Sequence, residues 1–158
     1  MRAFHLPASV DLVTCCFHSL NHLFTERDFR RALCCVRDAL RPGGYFFFDC
    51  AHAKMYEAAS SDRSYLDAGD FFLVRGYEFD RARQRAHYEA TWFVRKDARW
   101  QRFDERIPQV PWPDVKVRAM LRQEGFALTA TRDSARFVYG PEARGGRNLL
   151  TFYLARRK

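Results

Sequence analysis

His18 is the side chain in this 158-residue protein best suited by type to move a proton near neutral pH, and it follows directly on an apolar run, Val10 to Phe17. That makes it the candidate general base. Asp49 closes a second apolar run, Tyr45 to Cys50, where a carboxylate either meets a substrate or caps the helix that follows. Tyr56, Trp92 and Trp112 are candidates for an aromatic substrate wall, with core packing as the alternative for each. His22 precedes a helix cap and reads as structural, and His5, His52 and His87 have no partner spacing. The five cysteines include two adjacent pairs and lack the two-residue spacing of zinc sites. Each lies in an apolar run, so buried free thiols are expected, with no metal site, disulfide or nucleophile.

The elements that must position these residues follow from their patterning. VDLVTCCF (10–17) is rich in β-formers and nearly continuous in apolar residues, as in a parallel strand buried on both faces. Thr25 reads as an N-cap with Asp28 three residues on. Phe29, Leu33, Val36 and Leu40 then form one helical stripe that Gly43-Gly44 ends. YFFFDC (45–50) is a second interior strand, and strand, helix, strand in about forty residues makes a right-handed βαβ unit. A short helix is expected over His52 to Ala59, then a loop at Ser-Ser-Asp. Phe71 to Phe79, Arg85 to Arg95 and Arg99 to Val110 alternate apolar with polar residues. They predict antiparallel strands with turns near Asp80 to Arg83 and Lys96 to Ala98. The cluster Pro108, Pro111, Pro113 is expected outside the sheet. A helix begun by Pro113 carries Val117, Met120 and Leu121 and stops at Gly125; strands follow at Phe126 to Thr131 and Leu149 to Leu154, joined by a loop around Pro141 to Arg147.

Composition narrows the function classes. Fifteen Phe exclude a disordered tail, and the length suits one domain, 1–158. The net charge of +8 comes from basic residues scattered from Arg2 to Arg157 without a block of like charges, so a solvated basic surface is expected, with no specific nucleic-acid partner. No apolar run approaches the roughly 18 residues of a membrane span and no signal-type segment opens the sequence. No membrane partner is expected, and the location expected is cytoplasmic.

Strand, capped helix, Leu-Arg-Pro-Gly-Gly (40–44) and a strand ending in Asp49 resemble the fourth and fifth strands of class I, Rossmann-like, S-adenosylmethionine-dependent methyltransferases. MLRQEGF (120–126) is similar to that family's helix before its sixth strand. The resemblance is strong over residues 1 to 50 and weaker over 51 to 112. It implies S-adenosylmethionine as cofactor, with Met1, Arg2, Cys16, Phe17, His18 and Asn21 against it. Glu105 and Gln109 fit where relatives carry a Glu-x-His segment followed by Arg and Tyr, although Ile107, Val110 and Trp112 depart from it, and Tyr56, Trp92, Glu105 and Trp112 are the implied substrate residues. The chain has no Gly-x-Gly, so the resemblance also implies a truncated member whose cofactor loop lies upstream.

The expected fold is an α/β half-sheet with the fourth, fifth, seventh and sixth strands adjacent, carrying residues 71–110 as an antiparallel, lid-like insertion. The implied activity is methyl transfer to oxygen or nitrogen of a small molecule, with a non-catalytic binding or pairing module as the alternative. The strand 10–17 would then present a free apolar edge, which predicts self-association through it.

Overall fold

The stretch around Leu-Arg-Pro-Gly-Gly explains how the first strands are set. A computed structural model describes residues 1–61, 63–134 and 150–158, so the loop expected at 141–147 lies outside the described residues. Strand β1 (Val10–Cys15) leads through a 3-10 turn (Ser19–His22) to helix α1 (Glu26–Ala39) and strand β2 (Leu40–Ala51). Thr25 caps α1 as expected: its Oγ1 accepts the Asp28 N–H at 3.1 Å and donates to Asp28 Oδ2 at 2.9 Å. The helix buries Phe29, Ala32, Leu33, Val36 and Ala39 along one stripe.

Helix α1 ends at Ala39, before the glycines, and the landmark belongs to the first part of β2. Gly43 has φ +79°, a left-handed value that disfavours any residue with a Cβ. A Cβ on Gly44 would stand 3.0 Å from the carbonyl oxygens of both Arg41 and Asp11. The two glycines thus let β2 kink and lie close against β1, and the register between the strands shifts there, from Val10 opposite Leu40 to Leu12 opposite Tyr45.

Helix α2 (Ala53–Ala59) and helix α3 (Asp114–Gln123) flank an insertion of strands β3 (Arg63–Asp67), β4 (Phe71–Asp80), β5 (Arg85–Lys96) and β6 (Arg99–Gln109). Strands β7 (Phe126–Asp133) and β8 (Leu150–Arg157) complete the chain. The first sheet has the order β1-β2-β8-β7, with β1 parallel to β2 and β8 antiparallel to both its neighbours. This is the expected order of fourth, fifth, seventh and sixth strands. The second sheet, β3-β4-β5-β6, is antiparallel throughout. Its extra strand, β3, is exposed at every residue, so no alternation announced it.

Two expectations change. Pro108 stays in the sheet opposite His87, because β6 is an edge strand and a missing N–H at an edge breaks no ladder. Strand β1 is not buried on both faces, since Leu12 is 52% exposed, while its edge is open as expected: among the described residues its only strand partner is β2. The core lies between α1, α3 and the first sheet. Phe46 stacks on Phe48 at 4.5 Å and Phe48 on Tyr153 at 4.8 Å. Of the cysteines, all free thiols, only Cys50 is buried; the other four are half-buried. No helix among the described residues is long and apolar enough to cross a membrane.

Candidate functional site

The chain leaves β1 through two successive non-glycine residues in left-handed conformation, Phe17 (φ 59°) and His18 (φ 44°). Such a conformation costs about 1–3 kcal/mol per residue and persists where the surroundings over-determine it. Here the surroundings are Asp49, which β2 brings to the same end of the sheet. Its Oδ1 accepts the His18 N–H at 2.6 Å, and the Phe17 N–H also bonds its carboxylate. The result throws Phe17 outward, 86% exposed, and leaves the His18 ring half-buried with Nδ1 shielded from solvent.

That Nδ1 is the one buried side-chain polar atom without a hydrogen-bond partner among the described residues. An orphaned polar atom in a native interior calls for an explanation in function or a bound group. Burial, then the neighbouring His22, holds the His18 pKa below the ordinary histidine value, so the ring is neutral and able to accept a proton at neutral pH. Asp49 is shifted the other way: burial raises its pKa, against hydrogen bonds from the backbone of His18 and Phe17.

Behind His18 lies a chain of side chains from three elements. The Tyr56 hydroxyl, from α2, donates to Gln109 Oε1 at 2.9 Å, and Gln109 Nε2, at the end of β6, meets His22 Nε2 at 3.1 Å. An amide Nε2 can only donate, so His22 accepts there and carries its proton on Nδ1. Gln109 therefore ties the antiparallel insertion to the turn after β1. Asn21, fully buried, donates to the Ala51 and Val110 carbonyls and accepts the Ala51 N–H, which ties the same turn to β2.

The other anticipated residues divide by position. Cys16 is half-buried after β1, and Met1 reaches the preceding residue, its sulfur 3.5 Å from Cys15 Sγ. Arg2 is on the surface, paired with Asp28 at 3.1 Å. Trp92 and Glu105 meet on the insertion, indole Nε1 donating to Glu105 Oε2 at 2.9 Å. Tyr56 and Trp112 are core residues and do not face a wall. Tyr56 packs on Tyr77, Phe79 and Ala86, and Trp112 meets Phe29 edge-on at 5.2 Å while donating to the Leu23 carbonyl. No group of three metal-ligating side chains occurs among the described residues. Asp49 and Gln109 were both marked in the sequence, Asp49 by its place at the end of an apolar strand and Gln109 by its fit, with Glu105, to the family segment; what the sequence did not reveal is that both bond to the turn after β1, Asp49 to the His18 N–H and Gln109 to His22.

No family model and no curated protein sequence matches the chain. Solved structures do. It is 20% identical to an S-adenosylmethionine-dependent methyltransferase from Clostridium acetobutylicum, with a TM-score of 0.79 over 99% of this chain and 61% of that one. The fold is that of a class I S-adenosylmethionine-dependent methyltransferase. An amino pentose methyltransferase of calicheamicin biosynthesis from Micromonospora echinaspora, with S-adenosylmethionine bound, is 18% identical (TM-score 0.69, 99% of this chain and 62% of that one). A sugar N-methyltransferase from a Streptoalloteichus species is 16% identical (TM-score 0.69, 99% and 60%). The chain thus spans about three-fifths of the length of these methyltransferases.

Proposed function

We propose that the chain carries one wall of an S-adenosylmethionine-dependent methyltransferase site acting on an oxygen or nitrogen of a small-molecule acceptor, with His18 as the base. The observation that supports this reading most is His18 itself: a neutral imidazole with a buried, unpartnered nitrogen at the carboxyl end of β1. That is the end at which open α/β sheets bind ligands. The residues present fit one side of the cofactor. Phe17 offers an exposed aromatic face of the kind a cationic sulfonium favours, Cys16 and His18 flank it, Met1 stands with its sulfur 3.5 Å from that of Cys15 at the same end of β1, and Arg2 pairs with Asp28 in the first turn of α1. Asn21 serves by fixing the turn, since its side-chain hydrogen bonds go to Ala51 and Val110.

S-adenosylmethionine, when bound, supplies an electrophilic methyl group. The chain's own residues then have two tasks: to orient the acceptor and to take the proton it loses. His18 takes the proton, and Trp92 with Glu105 presents an aromatic and acidic surface to the acceptor, with Tyr56 and Trp112 supporting from the core. The antiparallel sheet acts as a lid, and five free thiols, none of them in a disulfide, suit the reducing cytoplasm. Calorimetric titration with S-adenosylmethionine tests the reading for this chain: a saturable binding heat supports it, and none at millimolar ligand overturns it.

A second reading, a non-catalytic pairing module, draws on the free edge of β1. An apolar strand with Leu12 exposed and, among the described residues, one strand partner offers hydrogen bonds to a second copy. Self-association that rises with concentration in sedimentation supports it; a monomer at high concentration overturns it.

A further inference from the structure

We propose that Asp49 is a positioning residue of this site, clamping Phe17 and His18 in their left-handed turn and thereby setting the aim of the His18 ring. Two bulky residues in succession at positive φ need a restraint that neither glycine nor asparagine supplies here. Asp49 is 2% exposed, and its carboxylate is taken up by the backbone of the turn. It does not cap α2: the N-cap there is His52, with no side-chain cap bond. No ion pair among the described residues includes it; its charge is held by backbone N–H groups, those of His18 at 2.6 Å and of Phe17. The strain of the turn and the burial of the carboxylate therefore answer each other. His22 from the 3-10 turn and Gln109 from β6 stand on the far side of the turn, while Cys15 and Cys16 on the β1 side feel the Asp49 charge.

The functional meaning of the clamp rests on His18 serving a methyltransferase site, but the clamp itself can be tested without turnover. In the wild-type chain, NMR should find the His18 amide proton far downfield and titrating with the Asp49 carboxyl group. Asp49→Asn keeps an oxygen acceptor, so the His18 imidazole should keep its lowered midpoint. Asp49→Ala removes the acceptor, and the midpoint should rise towards the ordinary histidine value. A His18 amide that ignores the Asp49 titration overturns the clamp on the wild type alone, whether or not the alanine variant folds. An alanine variant that folds with the His18 midpoint unchanged overturns it too. Absence of cofactor heat with the clamp intact removes only the methyl-transfer reading, so the two failures are separable.

Discussion

Asn21 pairs with Ala51 as a strand neighbour would, its carboxamide oxygen accepting the Ala51 N–H and its nitrogen donating to the Ala51 carbonyl, both at 2.9 Å. The second amide hydrogen goes to the Val110 carbonyl at 2.7 Å. One side chain thereby joins the turn after β1, the end of β2 and the exit from β6. It extends the hydrogen bonding of β2 beyond its last residue, at the point where the candidate site begins.

Asn21→Asp is nearly isosteric and should be among the most damaging single changes. It replaces a donor by an oxygen facing two buried carbonyls, and each buried group left unsatisfied costs about 1–3 kcal/mol. A loss of about 3 kcal/mol or more is expected, seen as a lower urea midpoint with an unchanged slope. A midpoint equal to wild type would show that the turn is held by other contacts.

The aromatic residues singled out from sequence should separate in the same assay. Trp112→Ala empties a core site beside Phe29 and is expected to cost about 3–5 kcal/mol. Tyr56→Phe removes the hydroxyl that orients Gln109, at about 1 kcal/mol. Glu105→Ala, on an exposed strand, should stay within about 0.5 kcal/mol. Comparable losses at Glu105 and Trp112 would contradict the division between core and exposed surface.

His18 should leave a mark on stability against pH. Its folded pKa lies below the ordinary 6.5, so between that value and the folded one the unfolded chain binds a proton that the folded chain does not. Stability should therefore fall as pH drops from neutrality through that window. Asp49 acts oppositely: its folded pKa is raised, so its contribution is full below the ordinary 3.8 and lost as pH rises through the folded value. His18→Asn, chosen because asparagine tolerates a left-handed turn, should flatten the decline below neutrality. Urea midpoints at several pH values read this directly, and an unchanged pH slope would remove His18 as the source.

The sheet order was legible because its signals are local. A capped helix between two apolar runs forces parallel strands, and alternation in residues such as Tyr88, Ala90, Trp92 and Val94 marks a strand with one wet face. The open edge expected of β1 is seen among the described residues, where β2 is its one strand partner, but the exposure of Leu12 was not legible, because apolar composition records the packing a strand suits and not what covers it. The site was half legible. His18 could be found by type and by its place after a strand, but its partners come from 31 residues away in Asp49 and, through His22, 87 residues away in Gln109. No spacing in the sequence encodes contacts that only the packing of β2 and β6 creates.

The glycine landmark is where fold and site are mechanically connected, and it makes the last prediction. Gly44→Ala would press a Cβ against the carbonyl oxygens of Arg41 and Asp11 at 3.0 Å, both backbone atoms: Arg41 can yield only by reshaping β2, and Asp11 only by moving β1 away from β2. Gly43→Ala instead incurs the left-handed penalty, about 1–2 kcal/mol, and meets only the Arg156 side chain at 3.3 Å, which can swing aside. Both should destabilise, but differently. Arg156→Ala combined with Gly43→Ala should recover little, since the backbone penalty remains. Gly44→Ala should also disturb the far end of the strand pair, because the β1–β2 ladder runs from Leu12 opposite Tyr45 to Cys15 opposite Phe48, next to the Asp49 contact with His18. Hydrogen exchange at the His18 amide provides the measurement: faster exchange in Gly44→Ala than in Gly43→Ala at matched stability is expected, and equal rates would show that the landmark and the site are uncoupled.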